Sequence, residues 1–187
     1  EWHGINTDVE GLIYPIENLN LLNKNAIILG SGGAARSAIQ GLINLKLSEI
    51  IVVSRNEIAL NNLTSDFKNQ HVVKGIFFKN PNIPNLINTA DLIINTTPIG
   101  MINHTYQNEE LPFGKNFWKS LNSKTIIYDL IYNPEETALL NYCRKKGCYT
   151  INGTKMLVVQ GAKSLSYWTD GLKIPLEIME EAIKKNL

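Results

Sequence analysis

Short apolar runs recur along the chain, and stripes at helical spacing follow several of them. Residues 26–29, Ala-Ile-Ile-Leu, are apolar throughout and end at Gly30. From Ala35 the apolar positions are Ala35, Ala38, Ile39, Leu42 and Ile43, the i, i+3, i+4, i+7, i+8 pattern of one helix face. Residues 50–53 form a second apolar run, and 58–67 read as a second helix. Strand candidates follow at 72–78, 92–94, 125–128 and 149–151, with a helix at about 135–145. Continuous rather than alternating apolar strands suit a parallel sheet buried on both faces. Alternation with helices gives right-handed crossovers. The pattern predicts an α/β fold, a Rossmann-like doubly wound parallel sheet. Two helices, 156–168 and 176–185, come last with no strand after them, so they must cover another surface. Residues 1–152 are expected to form the sheet domain, with 1–20 as a leading segment, and 153–187 the additional helices. Residues 98–117 read as a loop long enough to suggest a function.

Composition narrows the partners. Hydrophobic residues are 44% and charged residues 19% of 187, enough apolar material for a core. The net charge is +1, and the longest basic run is the three residues Arg144-Lys145-Lys146, with the pair Lys184-Lys185 next, which argues against nucleic acid and anionic membrane as partners. No apolar run reaches the roughly 18–20 residues of a bilayer span. Two cysteines, Cys143 and Cys148, are too few for a disulfide scaffold, so a reduced, cytoplasmic setting is expected. The chain begins at Glu1 rather than Met, which reads as an excised or processed start and hides any targeting signal.

Gly30-Ser31-Gly32-Gly33-Ala34-Ala35 fits G-x-G-x-x-A between a strand and a helix. In that context Gly30 permits the tight turn, Gly32 lets the backbone approach a pyrophosphate, and Ala35 lets the helix pack close to the strand. The helix N-terminus offers free N–H groups and partial positive charge. A glycine-rich turn that binds nothing is the alternative. An NAD site wants an acidic residue at the end of the second strand. This chain has Ser54-Arg55-Asn56 there, and a guanidinium suits the 2′-phosphate of NADP. A merely exposed arginine is the competing explanation.

Other segments gain meaning in combination. Residues 4–8 read G-I-N-T-D, 95–101 N-T-T-P-I-G-M, 129–134 D-L-I-Y-N-P, and 153–168 carry G-x-x-M-L-x-x-Q with a closing tryptophan. With the glycine motif and the Ser54-Arg55-Asn56 strand end, this ordered set resembles the shikimate dehydrogenase family along essentially the whole chain. The resemblance implies an NADP-dependent oxidoreductase that reduces 3-dehydroshikimate to shikimate by hydride transfer, in aromatic amino-acid biosynthesis. It implies that Asp8, beside a catalytic lysine, binds substrate hydroxyls, and that Tyr132 and Gln160 are further substrate contacts. Gly30, Ser31, Gly32, Gly33 and Ala34 become the pyrophosphate loop, and Ser54, Arg55 and Asn56 the 2′-phosphate clamp. Thr97, Leu130 and Gly153 become contacts to the adenosine or nicotinamide portions.

There are departures from the family pattern. Ser54 stands for an asparagine, Asn56 for a threonine, and Lys155 for a glycine common in relatives. The family's N-terminal lobe, with the lysine, is absent, and the last helices are expected to pack on it. The cofactor domain alone is therefore expected to bind NADP and to be inactive. Two alternatives stay open: a quinate/shikimate dehydrogenase type, which tends to use NAD, and a non-catalytic NADP-binding regulatory module. His3, His71 and His104 are scattered and the cysteine pair has no metal spacing, so no metal site is expected. There is no G-x-S-x-G or Walker A motif.

Overall fold

The computed structural model describes residues 4–70, 72–102 and 111–185. Six parallel strands form one sheet: β1 (Asn25–Leu29), β2 (Glu49–Ser54), β3 (Val73–Phe77), β4 (Leu92–Asn95), β5 (Ile126–Asp129) and β6 (Tyr149–Ile151). Their order is β3-β2-β1-β4-β5-β6, so the winding reverses between β1 and β4. In open α/β sheets that switch point opens a crevice outside the strands' carboxyl ends. The four central strands are buried almost throughout, as their unbroken apolar runs demand. The edge strands β3 and β6 are only partly covered.

Seven helices are assigned among the described residues: α1 (Asp8–Ile13), α2 (Gly33–Asn44), α3 (Glu57–Asp66), α4 (Ile83–Thr89), α5 (Ala138–Lys145), α6 (Thr154–Trp168) and α7 (Leu176–Lys184). Side chains alternate across each strand, and the core divides accordingly. Ile28, Ile50, Val52 and Ile94 meet Leu12 of α1, Ala38 and Leu42 of α2, and Leu60 of α3 on one face. Ile27, Leu29, Val53 and Ile93 meet Ile87 of α4, Trp118, and Leu140 and Cys143 of α5 on the other. Both faces are therefore covered, which is the doubly wound arrangement.

Some boundaries differ from the sequence reading. α1 and α4 were not anticipated. α5 begins at Ala138 rather than near 135, because Thr137 caps it, accepting a hydrogen bond from Leu140 N at 3.2 Å. The described parts of 98–117 contain neither helix nor strand, as expected of a loop. The tail helices do find a neighbour. α6 crosses α1 so closely that a Cβ on Gly11 would lie 2.8 Å from Met156 O. Glu10 and Lys163 add an exposed ion pair at 2.7 Å. α7 lies on α6, with Lys155 paired to Glu180. Along these helices Leu157 and Leu176 are half-buried and Leu165 is exposed. The most open large apolar side chains there are Trp168, at 79%, Ile178 and Leu172.

Candidate functional site

The glycine loop is built by the turn from β1 into α2. Gly30 has φ +110°, and a Cβ there would lie 2.8 Å from Thr96 Oγ1. The position therefore excludes a side chain twice, by conformation and by the approach of the β4 end. Gly30 N donates to Val53 O at 2.8 Å, and Thr96 Oγ1 to Leu29 O at 2.7 Å, fixing the loop between β2 and β4. Gly32 is the N-cap of α2, with no capping side chain and no acidic residue in the first turn. Open space surrounds the position of a Cβ on Gly32 or Gly33. Such an N-terminus presents its first N–H groups outward and fits a pyrophosphate. Ala35 is fully buried under the helix.

The three expected clamp residues do different jobs. Ser54 is buried; its hydroxyl is 2.9 Å from Ser31 Oγ and accepts from Asn56 N at 3.1 Å, so it braces the glycine loop. Asn56 caps α3, its Oδ1 accepting from Ala59 N at 3.0 Å. Arg55 is exposed, and its guanidinium lies 5.9 Å from the centre of the Phe113 ring.

Across the switch point lies a cavity of about 360 Å³. Asp8, Tyr132 and Gln160 line it together with Ala34, Thr97, Leu130 and Gly153, so seven of the expected site residues share one space. Met101, Met156 and Leu157 supply apolar wall that had no assigned role. Asp8 arrives through an Asx turn, Asp8 N donating to Asn6 Oδ1 at 2.9 Å, and opens α1. Gln160 sits midway along α6 and faces Thr7, whose hydroxyl is 3.1 Å from Ser164 Oγ. Gly153 is forced by packing, since a Cβ there would stand 2.0 Å from Leu130 O. Arg55 lies outside this cavity and lines another. Of the glycine loop only Ala34 lines the first cavity; Gly30, Ser31, Gly32 and Gly33, with Ser54 and Asn56, are not among the lining residues of either.

One buried network was missed. Asn95, at the end of β4, donates from Nδ2 to Asp129 Oδ1 at 2.9 Å, while its own Oδ1 accepts from Thr97 N and Thr97 Oγ1. Asp129 also accepts from Thr137 Oγ1 at 2.7 Å and Ile131 N at 3.2 Å. Burial pushes the Asp129 carboxyl up to about 6, against the pull of its hydrogen bonds from Thr137, Ile131 and Asn95. The network ties Thr97 to the segment that carries Leu130 and Tyr132. Asn95 and Asp129 each open one of the sequence segments described above, but nothing in the sequence links the two.

The described residues contain no cluster of three or more His, Cys, Asp or Glu side chains suited to a metal, and the three histidines lie outside them. Cys143 and Cys148 are both buried, and burial raises both thiols, which disfavours the reactive thiolate. No described helix is long and apolar enough to cross a membrane.

Comparison with known proteins gives consistent results. A model of the family described as "Shikimate 5'-dehydrogenase C-terminal domain" matches residues 153–184. A protein named shikimate dehydrogenase (NADP(+)) from Prochlorococcus marinus subsp. pastoris is 60% identical over 186 residues, covering 100% of this chain and 65% of that protein. One of the same name from Crocosphaera subtropica is 38% identical, covering 100% and 64%. The chain thus spans slightly less than two thirds of these relatives. A shikimate dehydrogenase solved in complex with NADP+ superposes with a TM-score of 0.81 at 32% identity, covering 98% of this chain and 62% of that one. A quinate dehydrogenase from Corynebacterium glutamicum, solved with NAD, gives 0.83 at 26% identity, covering 97% and 63%.

Proposed function

We propose, from the match to shikimate dehydrogenases along the whole chain and to their C-terminal-domain family model over residues 153–184, that the chain provides the NADP-binding portion of an enzyme reducing 3-dehydroshikimate to shikimate. The observation that carries this is the single cavity shared by Asp8, Tyr132 and Gln160 with Ala34, Thr97, Leu130 and Gly153. A module that only sensed a dinucleotide would need the second group alone. NADPH, when bound, supplies the hydride for the ketone carbon.

The chain's own residues do the positioning. The open N-terminus of α2 meets the pyrophosphate, and Arg55 pairs with the 2′-phosphate. Thr97, held by Asn95, and Gly153, seated against Leu130, line the cavity together with Ala34. Asp8, Tyr132 and Gln160 offer a carboxylate, a phenol and an amide to a polyhydroxylated ring, and Met101, Met156 and Leu157 exclude water around it. The developing alkoxide needs a proton. Among the residues lining the cavity there is no lysine to give one. We assign that lysine to an N-terminal lobe, of the kind the relatives' greater length provides, docked over Asp8 and the exposed apolar side chains of α6 and α7. Arg55 and the absence of an acidic side chain at Ser54 favour NADP over the NAD of the quinate dehydrogenase.

The test joins the chain to the N-terminal lobe of the Prochlorococcus relative and follows shikimate oxidation by NADP+. The joined protein turns over, and the 187-residue chain alone does not. Asp8→Asn and Gln160→Ala in the joined protein lower kcat/KM for shikimate by at least about tenfold, the scale of one hydrogen bond to a charged or transition-state group. Both leave NADPH affinity unchanged. Steady turnover by the short chain, or indifference to both substitutions, contradicts the assignment.

A further inference from the structure

The far end of the long loop takes no part in the cavity around Asp8. Leu111, Phe113, Gly114 and Lys115 instead line a second cavity, of about 430 Å³, with Arg55, Phe78 and Ile99. Phe113 is held at φ +62°, in the left-handed region that bulky side chains avoid. Its surroundings enforce this. Phe113 stacks on Phe78 at 5.8 Å and on Phe117 at 4.9 Å, and Phe117 meets buried Trp118 edge-on. A backbone conformation of this kind persists only where packing over-determines it, and such conformations cluster at binding surfaces. The result is a fixed aromatic face beneath the Arg55 guanidinium.

A 2′-phosphate carries close to two negative charges near neutral pH. Ser54 is committed to bracing the glycine loop and the Oδ1 of Asn56 to capping α3, so Arg55 carries the clamp's only charge. Lys115, exposed on the same cavity, is a second cation. We propose that residues 111–115 complete the adenosine end of the dinucleotide site, Phe113 fixing the plane of Arg55 and Lys115 pairing with the 2′-phosphate. This rests on the NADP reading above. Aromatic and aliphatic walls with two exposed cations suit a planar base carrying a phosphate monoester.

The test is calorimetric binding of adenosine 2′,5′-bisphosphate and of adenosine 5′-monophosphate to the 187-residue chain. These probes reach the adenosine end without the nicotinamide or the substrate. Lys115→Ala weakens the bisphosphate by about tenfold and the monophosphate by less than about twofold, Lys115→Arg retains most of the affinity, and the exposed control Lys119→Ala changes neither. Phe113→Leu also weakens the bisphosphate more than the monophosphate, by loosening Arg55. If Arg55→Ala reduces bisphosphate binding while Lys115→Ala leaves it intact, or lowers both nucleotides equally, this assignment is overturned and the NADP reading stands. If the unsubstituted chain binds neither nucleotide, both fall together.

Discussion

Asp129 and Tyr128 are neighbours on β5 and face opposite sides of the sheet with opposite fortunes. Asp129 is fully buried yet accepts three hydrogen bonds, from Asn95, Thr137 and Ile131. Its carboxyl titrates near 6 in the fold against an ordinary 3.8, because burial outweighs those bonds. Between those two pH values the native chain therefore binds the additional proton, and linkage makes its stability fall as pH rises through the window. Asp129→Asn removes this component. Urea midpoints compared from pH 4 to 7 are expected to show the unsubstituted chain losing ground to Asp129→Asn as pH rises, and a difference of the opposite sign would refute the assignment. Tyr128 is also fully buried, and its hydroxyl is the one buried side-chain polar atom without a partner among the described residues. Deleting that oxygen relieves a desolvation cost and keeps the ring. Tyr128→Phe is expected to stabilise the chain by about 1 kcal/mol in urea unfolding. A loss of similar size would mean that the hydroxyl has a partner after all.

At the scale of elements, the junctions hold the site in place. Gly153 starts α6 directly against the carbonyl of Leu130 at the end of β5. Alanine there cannot be accommodated without moving the helix or the strand end, because the neighbour is backbone. Gly153→Ala is expected to destabilise by about 3 kcal/mol or more, the upper range for overpacking a rigid position. Thermal and urea unfolding measure this, and a change below about 0.5 kcal/mol would show that the junction yields. The same scale explains what could be read in advance. The central strands were legible because burial on both faces leaves an unbroken apolar run, as in residues 50–53. α1 was not, since six residues containing Gly11 have little intrinsic helicity and hold their shape by packing on α2 and α6. α4 is seven residues with Pro84 in its first turn, and its only buried positions are Ile83 and Ile87, too few to show a period. Seven of the cavity residues were picked out through motif order, whereas the apolar wall of Met101, Met156 and Leu157 was not. The Asn95–Asp129–Thr137 network and the Phe113–Lys115 wall were not, because each joins segments that only the fold brings together.

For the whole molecule, the sheet places two cavities outside the carboxyl ends of its strands. On the proposed reading the glycine loop, Arg55 and the second cavity would face a dinucleotide, and Asp8, Tyr132 and Gln160 the substrate beside it. Trp168, Leu172 and Ile178 remain exposed in the tail, apolar side chains that the proposed lobe would cover. Joining the lobe is expected to abolish binding of a hydrophobic dye by the 187-residue chain, and dye binding unchanged by the lobe would place that surface elsewhere. The proposed reading of NADP by Arg55 does not need the lobe. Fluorescence titration of NADPH and NADH against the chain and its Arg55→Ala variant tests it most directly. NADPH is expected to bind more tightly than NADH and to be weakened in the variant by about 1.5–3 kcal/mol, with NADH nearly unchanged. Equal losses for the two cofactors, or no binding of either, would contradict it.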